Sequence, residues 1–246
     1  MNNFIKNYFP LEDLNEDAKQ YLRVHTHRYQ FLLNVVQDIR VKLPEANLRI
    51  LDVGPSIFTK ILEKSFPADT IISLGLEHEK SRGGHLPAQT QLEKDRFFFF
   101  NLNDSQFPEK WVNIPHCDII ILAEVLEHLY TAPTLVLGFL QTCLKPGGSL
   151  VIQTPNAAAL KNRILMLFGK NPFQMIRENS DNPGHFREYT LKELISISEK
   201  SGFTVDSFKY KNYFGAANIV EKIYTAFTNL LPGAFKSGIT IVLKKK

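Results

Sequence analysis

Five short apolar runs recur along the first two thirds of the chain, with amphipathic stretches between them. The run at 97–100 is continuously apolar, and the run at 118–122 is apolar after its first residue, Asp118, which is typical of strands covered on both faces. The five runs predict strands at 48–53, 70–76, 97–100, 118–122 and 149–154. Because these strands alternate with helical patterns, the sequence predicts an α/β fold with a mostly parallel sheet and helices on both faces.

The two ends of the chain extend this pattern. Residues 12–43 keep an apolar stripe at helical spacing, which predicts one long helix or two that pack on the sheet or cap a ligand. Beyond the fifth run, the pattern predicts helices at 190–201 and 216–231 and strands at 203–210 and 238–243. No long repeat is visible, so we interpret residues 1–246 as a single domain with an N-terminal helical extension over 1–45.

The composition argues against several classes of protein. The formal charge is +4, and the lysines at 244–246 are too few for a nucleic-acid-binding surface. No apolar run approaches the ~18 residues of a membrane span, so we expect no stable membrane insertion. The first residues lack a secretory signal pattern, and we predict a cytoplasmic location. Cys117 and Cys143 lie in apolar stretches and are predicted to be buried thiols. No feature predicts an oligomeric state.

The first predicted strand ends in a tight turn that opens a helix. This segment has the sequence Leu51-Asp52-Val53-Gly54-Pro55-Ser56, and a helical pattern begins at once after it. Gly54 lets the backbone turn sharply and approach a ligand closely. Strand, glycine turn and helix open a nucleotide-binding α/β unit, in which ligands bind at the carboxyl ends of the strands.

Polar residues follow the next two predicted strands. Glu77 lies ~20 residues beyond the glycine turn, where a carboxylate binds both hydroxyls of a ribose, and an exposed charge at a strand end is the alternative. Asn103 and Asp104 follow the third strand and are placed to bind the edge of an adenine, with turn capping as the alternative. Together these residues extend the candidate nucleoside site across neighbouring strands.

The order of the elements, together with five motifs, resembles the class I S-adenosylmethionine-dependent methyltransferases over about residues 48–210. The motifs are Leu51-Asp52-Val53-Gly54, Glu77, Asn103-Asp104, Glu124-Val125-Leu126-Glu127-His128-Leu129 and Leu144-Lys145-Pro146-Gly147-Gly148. The resemblance implies a Rossmann-like three-layer α/β/α sandwich with a seven-stranded sheet, in which 238–243 is antiparallel and inserted beside 203–210. The glycine turn departs from the family, because Ser56 and Phe58 stand where further glycines are usual.

The resemblance also implies a cofactor and its contacts. The cofactor would be S-adenosylmethionine, held at the carboxyl ends of the strands. The implied cofactor-binding residues are Asp52, Gly54, Pro55, Ser56, Glu77, Asn103, Asp104, Ala123 and Glu124. Segments 157–185 and 211–236 are expected to shape the acceptor pocket. We favour a lid at 157–185 over a membrane-surface helix, because the segment is short and weakly basic.

Four residues are candidates for catalysis. A sulfonium methyl donor is already activated, so the protein mainly aligns the reactants, and a hydroxyl acceptor additionally needs a base. His128 and His185 are the candidate bases, because histidine titrates near neutrality. Arg187 and Tyr189 are candidates for binding or orienting the acceptor. We therefore predict O-methylation of a small-molecule or saccharide-like acceptor, with structural roles for these four residues as the alternative.

Three other functions fit parts of the same sequence. A metal-assisted O-methyltransferase is suggested by a ligand-like set, Glu124, Glu127, His128 and His185. The same spacing also anchors a strand-to-helix turn, and we assign no metal ligand. The altered glycine turn leaves a non-catalytic S-adenosylmethionine-binding module open as an alternative. A nicotinamide-dependent oxidoreductase is disfavoured, because the turn lacks the Gly-x-Gly-x-x-Gly pattern that binds pyrophosphate.

Overall fold

A seven-stranded sheet runs through the part of the chain that the computed structural model describes, residues 3–9, 16–76, 94–179, 183–214 and 219–246. The strands are β1 (Arg49–Val53), β2 (Thr70–Gly75), β3 (Phe97–Phe99), β4 (Cys117–Ala123), β5 (Leu144–Pro155), β6 (Phe203–Lys211) and β7 (Gly238–Lys245). Their order across the sheet is β3-β2-β1-β4-β5-β7-β6. Pairs from β3 to β5 are parallel, and β7 is antiparallel to β5 and β6. The predicted Rossmann-like sheet, with its last strand inserted antiparallel, is confirmed.

The strand order reverses between β1 and β4, and this reversal determines where a ligand binds. From β1 the sheet continues to β2 and β3 on one side, while β4 and β5 lie on the other side. Connections that leave two such strands in opposite directions open a crevice at their carboxyl ends. Gly54 and Glu124 directly follow these two strands.

Helices cover both faces of the sheet. They are α1 (Asn3–Lys6), α2 (Glu16–Arg40), α3 (Ile57–Ser65), α4 (Pro133–Thr142), α5 (Leu160–Leu167), α6 (Leu191–Lys200) and α7 (Ile219–Leu230). The long N-terminal pattern forms one continuous helix of 25 residues rather than two. Thr190 caps α6, because its hydroxyl accepts from the backbone N–H of Glu193 and the Glu193 carboxylate accepts from the Thr190 N–H.

The core has two parts, one on each face of the sheet, because neighbouring residues of a strand point to opposite faces. Leu51 packs on one side with Leu137 of α4 and Leu194 of α6. Ile50 packs on the other side with α3 and α2, where Leu32 is fully buried. Burial of apolar area therefore fixes the position of α2 on the sheet.

β5 begins earlier than the sequence pattern predicts. The pattern predicts a turn at 145–148 before a strand at 149–154, whereas the strand begins at Leu144. The four turn residues form an irregularity within the strand, and the register with β4 shifts across it. Gly147 has a φ of 72°, which glycine adopts without steric cost.

Both cysteines are buried free thiols, as predicted.

Two glycines give opposite predictions for the same substitution. A Cβ at Gly238, the first residue of β7, would overlap the buried ring of Tyr213, whereas a Cβ at Gly138 in α4 would meet no described atom within 4 Å beyond its own helix. We expect Gly238→Ala to lower the free energy of unfolding by about 3 kcal/mol through overpacking. Gly138→Ala should raise it by about 0.5–1 kcal/mol, because alanine is the better helix former. Urea unfolding of both variants tests this packing, and equal effects would argue against it.

Candidate functional site

A cavity of about 420 Å³ opens at the carboxyl ends of β1, β2 and β4, in the crevice where the strand order reverses. It is lined by the Gly54 turn and by residues 74–76, 100–103 and 123–125. α2 lines a further side with Tyr21, His25, Arg28, Tyr29 and Leu32. The volume is in the range of small-molecule binding sites.

The glycine turn packs closely against Val125 of the neighbouring connection. Gly54 has a φ of 76°, in the left-handed region, and a Cβ there would lie 2.6 Å from Val125 Cγ2. Ser56 is the N-cap of α3, where its hydroxyl accepts from Phe58 N and its own N–H donates to Thr59 Oγ1. Ser56 thus replaces a further glycine with a capped helix start and still lines the cavity.

Asp52 brings a carboxyl group to the cavity from the end of β1. Its side chain is buried and accepts a hydrogen bond of 2.6 Å from Thr59 Oγ1. Burial raises the pKa of Asp52 to about 7, while the Thr59 hydrogen bond and the Arg28 charge oppose the rise. Near neutral pH this carboxyl group therefore loses its proton readily when a cation binds nearby.

Arg28 is a buried cation on α2 that the sequence pattern did not single out as a site residue. It is 4% exposed, and its Cζ lies 4.7 Å from the centroid of the Tyr29 ring. Its Nε has no hydrogen-bond partner among the described residues, an arrangement that suits an anionic ligand group. The signal in the sequence is a charge within an apolar stripe, formed by Tyr21, His25, Arg28 and Leu32 at helical spacing.

Glu124 follows β4 in a strained conformation. Its φ of 56° is in the left-handed region, which is uncommon for residues other than glycine. Its Oε1 is buried and has no hydrogen-bond partner in the described ranges. Burial raises the pKa of the Glu124 carboxyl, and the charges of Arg28 and His185 oppose the rise. Backbone strain of this kind costs about 1–3 kcal/mol and concentrates at functional sites.

Glu127, His128 and His185 form a cluster near Glu124. One side-chain ligand atom of each lies within 4.8 Å of the other two. The two imidazole rings meet edge-on, with 4.8 Å between their centroids. Glu127 Oε2 accepts from Thr154 Oγ1 at 3.0 Å, while Glu127 Oε1 is buried without a hydrogen-bond partner in the described part of the chain. Burial, and then the charge of Glu124, raise the pKa of Glu127 well above its ordinary value.

The Nδ1 atom of each histidine makes the contact that orients its ring. His128 Nδ1 lies 2.9 Å from the carbonyl oxygen of Gly184, and His185 Nδ1 lies 3.0 Å from Glu188 Oε1. A neutral ring that donates from Nδ1 keeps its lone pair on Nε2. Burial lowers the pKa of His128, so this ring is neutral at physiological pH. His128 thus has the protonation state of a base.

The structure brings most of the predicted residues together. Those that line the cavity are Asp52, Gly54, Pro55, Ser56, Asn103, Ala123, Glu124, His128 and His185. Asn103 Oδ1 also accepts from the backbone N–H groups of Tyr130 and Thr131, so it fixes the connection after β4. Asp104 forms a partly exposed ion pair and is not among the lining residues. Glu77 lies outside the described residues, and its role stays a prediction.

Arg187 and Tyr189 lie beside the cavity rather than in it. The Arg187 guanidinium donates to Glu193 Oε1 at 2.6 Å, and its Cζ lies 5.7 Å from the centroid of the Tyr189 ring. Both residues line a separate shallow depression together with Pro133 and Ile197. Contact with an acceptor therefore requires an acceptor that extends beyond the main cavity.

This strand order, with a cavity at the reversal point, defines the fold of the class I S-adenosylmethionine-dependent methyltransferases. A family model described as a methyltransferase domain matches residues 24–207, which is most of the chain. The chain therefore belongs to this methyltransferase family. The matched region includes Arg28, the glycine turn and the cluster of Glu127 with the two histidines.

Solved structures share the fold at low sequence identity. A SAM-dependent methyltransferase from Archaeoglobus fulgidus is 16% identical, with a TM-score of 0.53 over 87% of this chain and 93% of that chain. One from Mesorhizobium loti is 14% identical, with a TM-score of 0.53 over 85% and 96%. The N-methyltransferase NodS from Bradyrhizobium japonicum, solved with S-adenosyl-L-homocysteine, is 14% identical, with a TM-score of 0.51 over 94% and 93%. No curated protein matches the chain, and these structural likenesses concern the fold alone.

The raised pKa of Asp52 predicts how stability depends on pH. Because the folded-state pKa of about 7 is above the ordinary 3.8, the folded protein binds more protons than the unfolded chain between these values. Stability should therefore fall as the pH rises from about 4 to 7, by up to about 4 kcal/mol from this group. Asp52→Asn removes this titration, so its Tm relative to the wild type should increase with pH.

Asp38→Asn, at an exposed position on α2, is the matched control for the loss of a carboxylate. If the Tm difference for Asp52→Asn follows the same course with pH as that for Asp38→Asn, Asp52 does not titrate as the structure indicates.

Proposed function

We propose that this methyltransferase transfers the methyl group of S-adenosylmethionine to a hydroxyl oxygen of a small-molecule or saccharide-like acceptor. The observation that carries the proposal is that His128 and His185 line the same cavity as the Gly54 turn. Methylation of a hydroxyl needs a bound methyl donor and a base within reach of it, and one cavity supplies both.

The charged groups of the cavity match those of S-adenosylmethionine. The Arg28 Nε, which has no partner among the described residues, suits the carboxylate of the cofactor. The carboxyl groups of Asp52 and Glu124 suit its ammonium group, and the bare backbone of Gly54 permits close approach of its methionine part. Glu77 keeps its predicted role of binding the ribose.

S-adenosylmethionine, when bound, supplies a methyl group that the sulfonium has already activated. The residues of the cavity then have two tasks, to hold the acceptor hydroxyl in line and to remove its proton. His128 suits the second task, because burial lowers its pKa and Gly184 fixes its ring. His185 is the alternative base, since the Glu188 carboxylate would stabilise the imidazolium that proton uptake creates.

The depression beside the cavity suits the far end of an extended acceptor. The exposed Arg187 offers a guanidinium there, a group that donates to hydroxyl oxygens, and the buried Tyr189 ring lies behind it. The segments 157–185 and 211–236 each supply lining residues to the cavity, Pro183 and Phe214 among them. This arrangement favours a saccharide-like acceptor over a compact one.

Calorimetry tests the cofactor site. The wild-type protein should bind S-adenosylmethionine and give no heat with NAD. Arg28→Met keeps an unbranched side chain of about the length of the arginine stem but removes the guanidinium. It should weaken S-adenosylmethionine binding by about tenfold to a hundredfold, because a hydrogen bond to a charged group contributes about 1.5–3 kcal/mol. Arg23→Met, at an exposed position on the same helix, is the matched control and should bind normally.

Equal affinities of Arg28→Met and Arg23→Met would remove Arg28 from the site. An absence of heat with S-adenosylmethionine would refute the proposed cofactor cavity. Tight binding without methyl transfer to any hydroxylated acceptor would instead favour a non-catalytic binding module.

Metal-assisted O-methylation is a second candidate, favoured by the cluster of Glu127, His128 and His185. Their ligand atoms lie within 4.8 Å of one another, and Glu127 Oε1 has no partner in the described ranges. Gly184 and Glu188 engage the Nδ1 atoms of the two histidines, the outer contacts usual for metal-binding histidines. A Mn²⁺ or Zn²⁺ ion held there would lower the pKa of the acceptor hydroxyl in place of a protein base.

Calorimetry with Mn²⁺ and Zn²⁺ on chelator-treated protein distinguishes the two mechanisms. In the metal-assisted case the wild type binds one ion, and the isosteric Glu127→Gln binds it at least about tenfold more weakly. Glu63→Gln on α3 is the control and should bind as the wild type does. If the wild type binds neither ion and methyl transfer survives chelation, a histidine is the base.

A further inference from the structure

α7 turns its apolar face to solvent. Ile219, Ile223, Phe227 and Leu230 follow one another at intervals of four, four and three residues, which places them on one side of the helix. Each of them is more than half exposed, whereas Thr228 is fully buried. An amphipathic helix at a protein surface normally buries such a stripe against the core. Its outward orientation indicates a partner other than the core of this protein.

A second apolar surface lies on α5 and the segment that follows it. None of residues 160–167, all of them described, is buried. Leu167 and Phe168 are 81% and 73% exposed, and Met175 is 86% exposed. Contiguous apolar exposure of this extent is typical of a surface that binds another molecule.

These two surfaces adjoin each other at the edge of the sheet that carries the cavity. The Lys161 N–H donates to the Tyr224 hydroxyl at 2.9 Å, and Arg163 Cζ lies 4.9 Å from the centroid of the Phe235 ring. β5 and β6 are both antiparallel to β7, so they run in the same direction. Because α5 follows β5 and α7 follows β6, both helices come after the same end of the sheet. Phe214, which lies between β6 and α7, lines the cavity.

We refer to residues 160–176 and 219–230 as the apolar rim. The stretches 157–179 and 219–236 contain six basic and two acidic residues, an excess of +4 that equals the net charge of the whole chain. The basic residues are Lys161, Arg163, Lys170, Arg177, Lys222 and Lys236. Apolar side chains combined with lysine and arginine are complementary to an anionic lipid surface.

We propose that the apolar rim docks the protein on the anionic surface of a lipid bilayer. The apolar side chains enter the boundary between head groups and acyl chains, and the lysine and arginine side chains reach the phosphates. In the described ranges, no helix combines the length and hydropathy of a membrane span. The sequence favours a lid because 157–185 is short and weakly basic, whereas the structure adds the exposed apolar face of α7 to the same surface.

Docking brings the cavity to the bilayer. The substrate class that follows rests on the proposed function: the acceptor is a hydroxylated amphiphile, such as a lipid-linked saccharide, taken from the membrane. Its sugar end would occupy the cavity while its apolar end stays in the bilayer next to the rim.

A second copy of this chain is a poorer occupant of the rim. A two-fold symmetric contact would bring the rim against itself and set two charges of +3, the net charge of residues 160–176 and 219–230, opposite each other. Like charges at an interface cost free energy, whereas an anionic lipid surface is attracted by the same charges. Charge complementarity therefore favours lipid.

Co-sedimentation with vesicles of defined composition tests the docking. The wild type should bind vesicles of phosphatidylcholine with phosphatidylglycerol, and bind pure phosphatidylcholine at least about tenfold more weakly. Added salt should weaken the binding. Leu167→Ser combined with Phe168→Ser should abolish it, as should Phe227→Ser combined with Leu230→Ser. Because these four side chains are exposed, the fold should tolerate the changes.

Val41→Ser is the matched control. Val41 is 84% exposed but follows α2 and precedes β1, at the opposite end of the parallel strands from the cavity. Lys161→Gln combined with Lys170→Gln should weaken vesicle binding by about fivefold per lysine. Calorimetry without vesicles should give wild-type affinity for S-adenosylmethionine in every variant. A failure of docking is thereby distinguished from a failure of the proposed function.

Unchanged vesicle binding in both serine double variants would overturn the proposal, and so would equal binding of the wild type to neutral and anionic vesicles. Light scattering measures whether the rim instead binds a second copy of this chain. A dimer that dissociates when Phe227 and Leu230 are replaced would assign the rim to a second copy, and docking on lipid would then be rejected.

Discussion

Arg28 and Glu124 line one cavity, Glu127 is buried beside it, and the site depends on the electrostatic compensation among these three side chains. Arg28 comes from α2, while Glu124 and Glu127 follow β4. Burial raises the pKa of both carboxyl groups, and the Arg28 charge opposes this rise. Removing one partner from a buried charge pair typically costs about 3–5 kcal/mol, because the other charge is left uncompensated. The cavity therefore keeps its charges only while α2 stays packed on the sheet.

This dependence gives the N-terminal helix a function in addition to its structural role. Leu32 and Val36 of α2 are fully buried among residues of β1 and α3, and this burial holds the helix in place. The same helix carries Arg28 to the ends of the strands. Two features of the site lower the stability of the fold, the left-handed backbone of Glu124 and the buried carboxyl group of Asp52. The hydrophobic cores on the two faces of the sheet offset them.

Features with a local cause were predictable from the sequence. The strand at 118–122 must be apolar at nearly every position because both of its faces are covered, and Gly54 is needed for a left-handed turn. The position of Arg28 at the cavity was not predictable, because it depends on how α2 is rotated above strands that follow it in the chain. The pattern likewise predicts α7 but not which way its apolar face points. Arg187 lies outside the cavity and forms an ion pair with Glu193, a contact that only the folded chain shows.

A crystal structure of the protein with S-adenosylhomocysteine tests the position of the cofactor most directly. We expect density for its amino-acid end between the Gly54 turn and Arg28, and density for its ribose near the end of β2, where Glu77 follows Leu76. Density for the nucleoside outside this cavity, or a cavity filled by the protein's own side chains at saturating ligand, would contradict the assignment of the site.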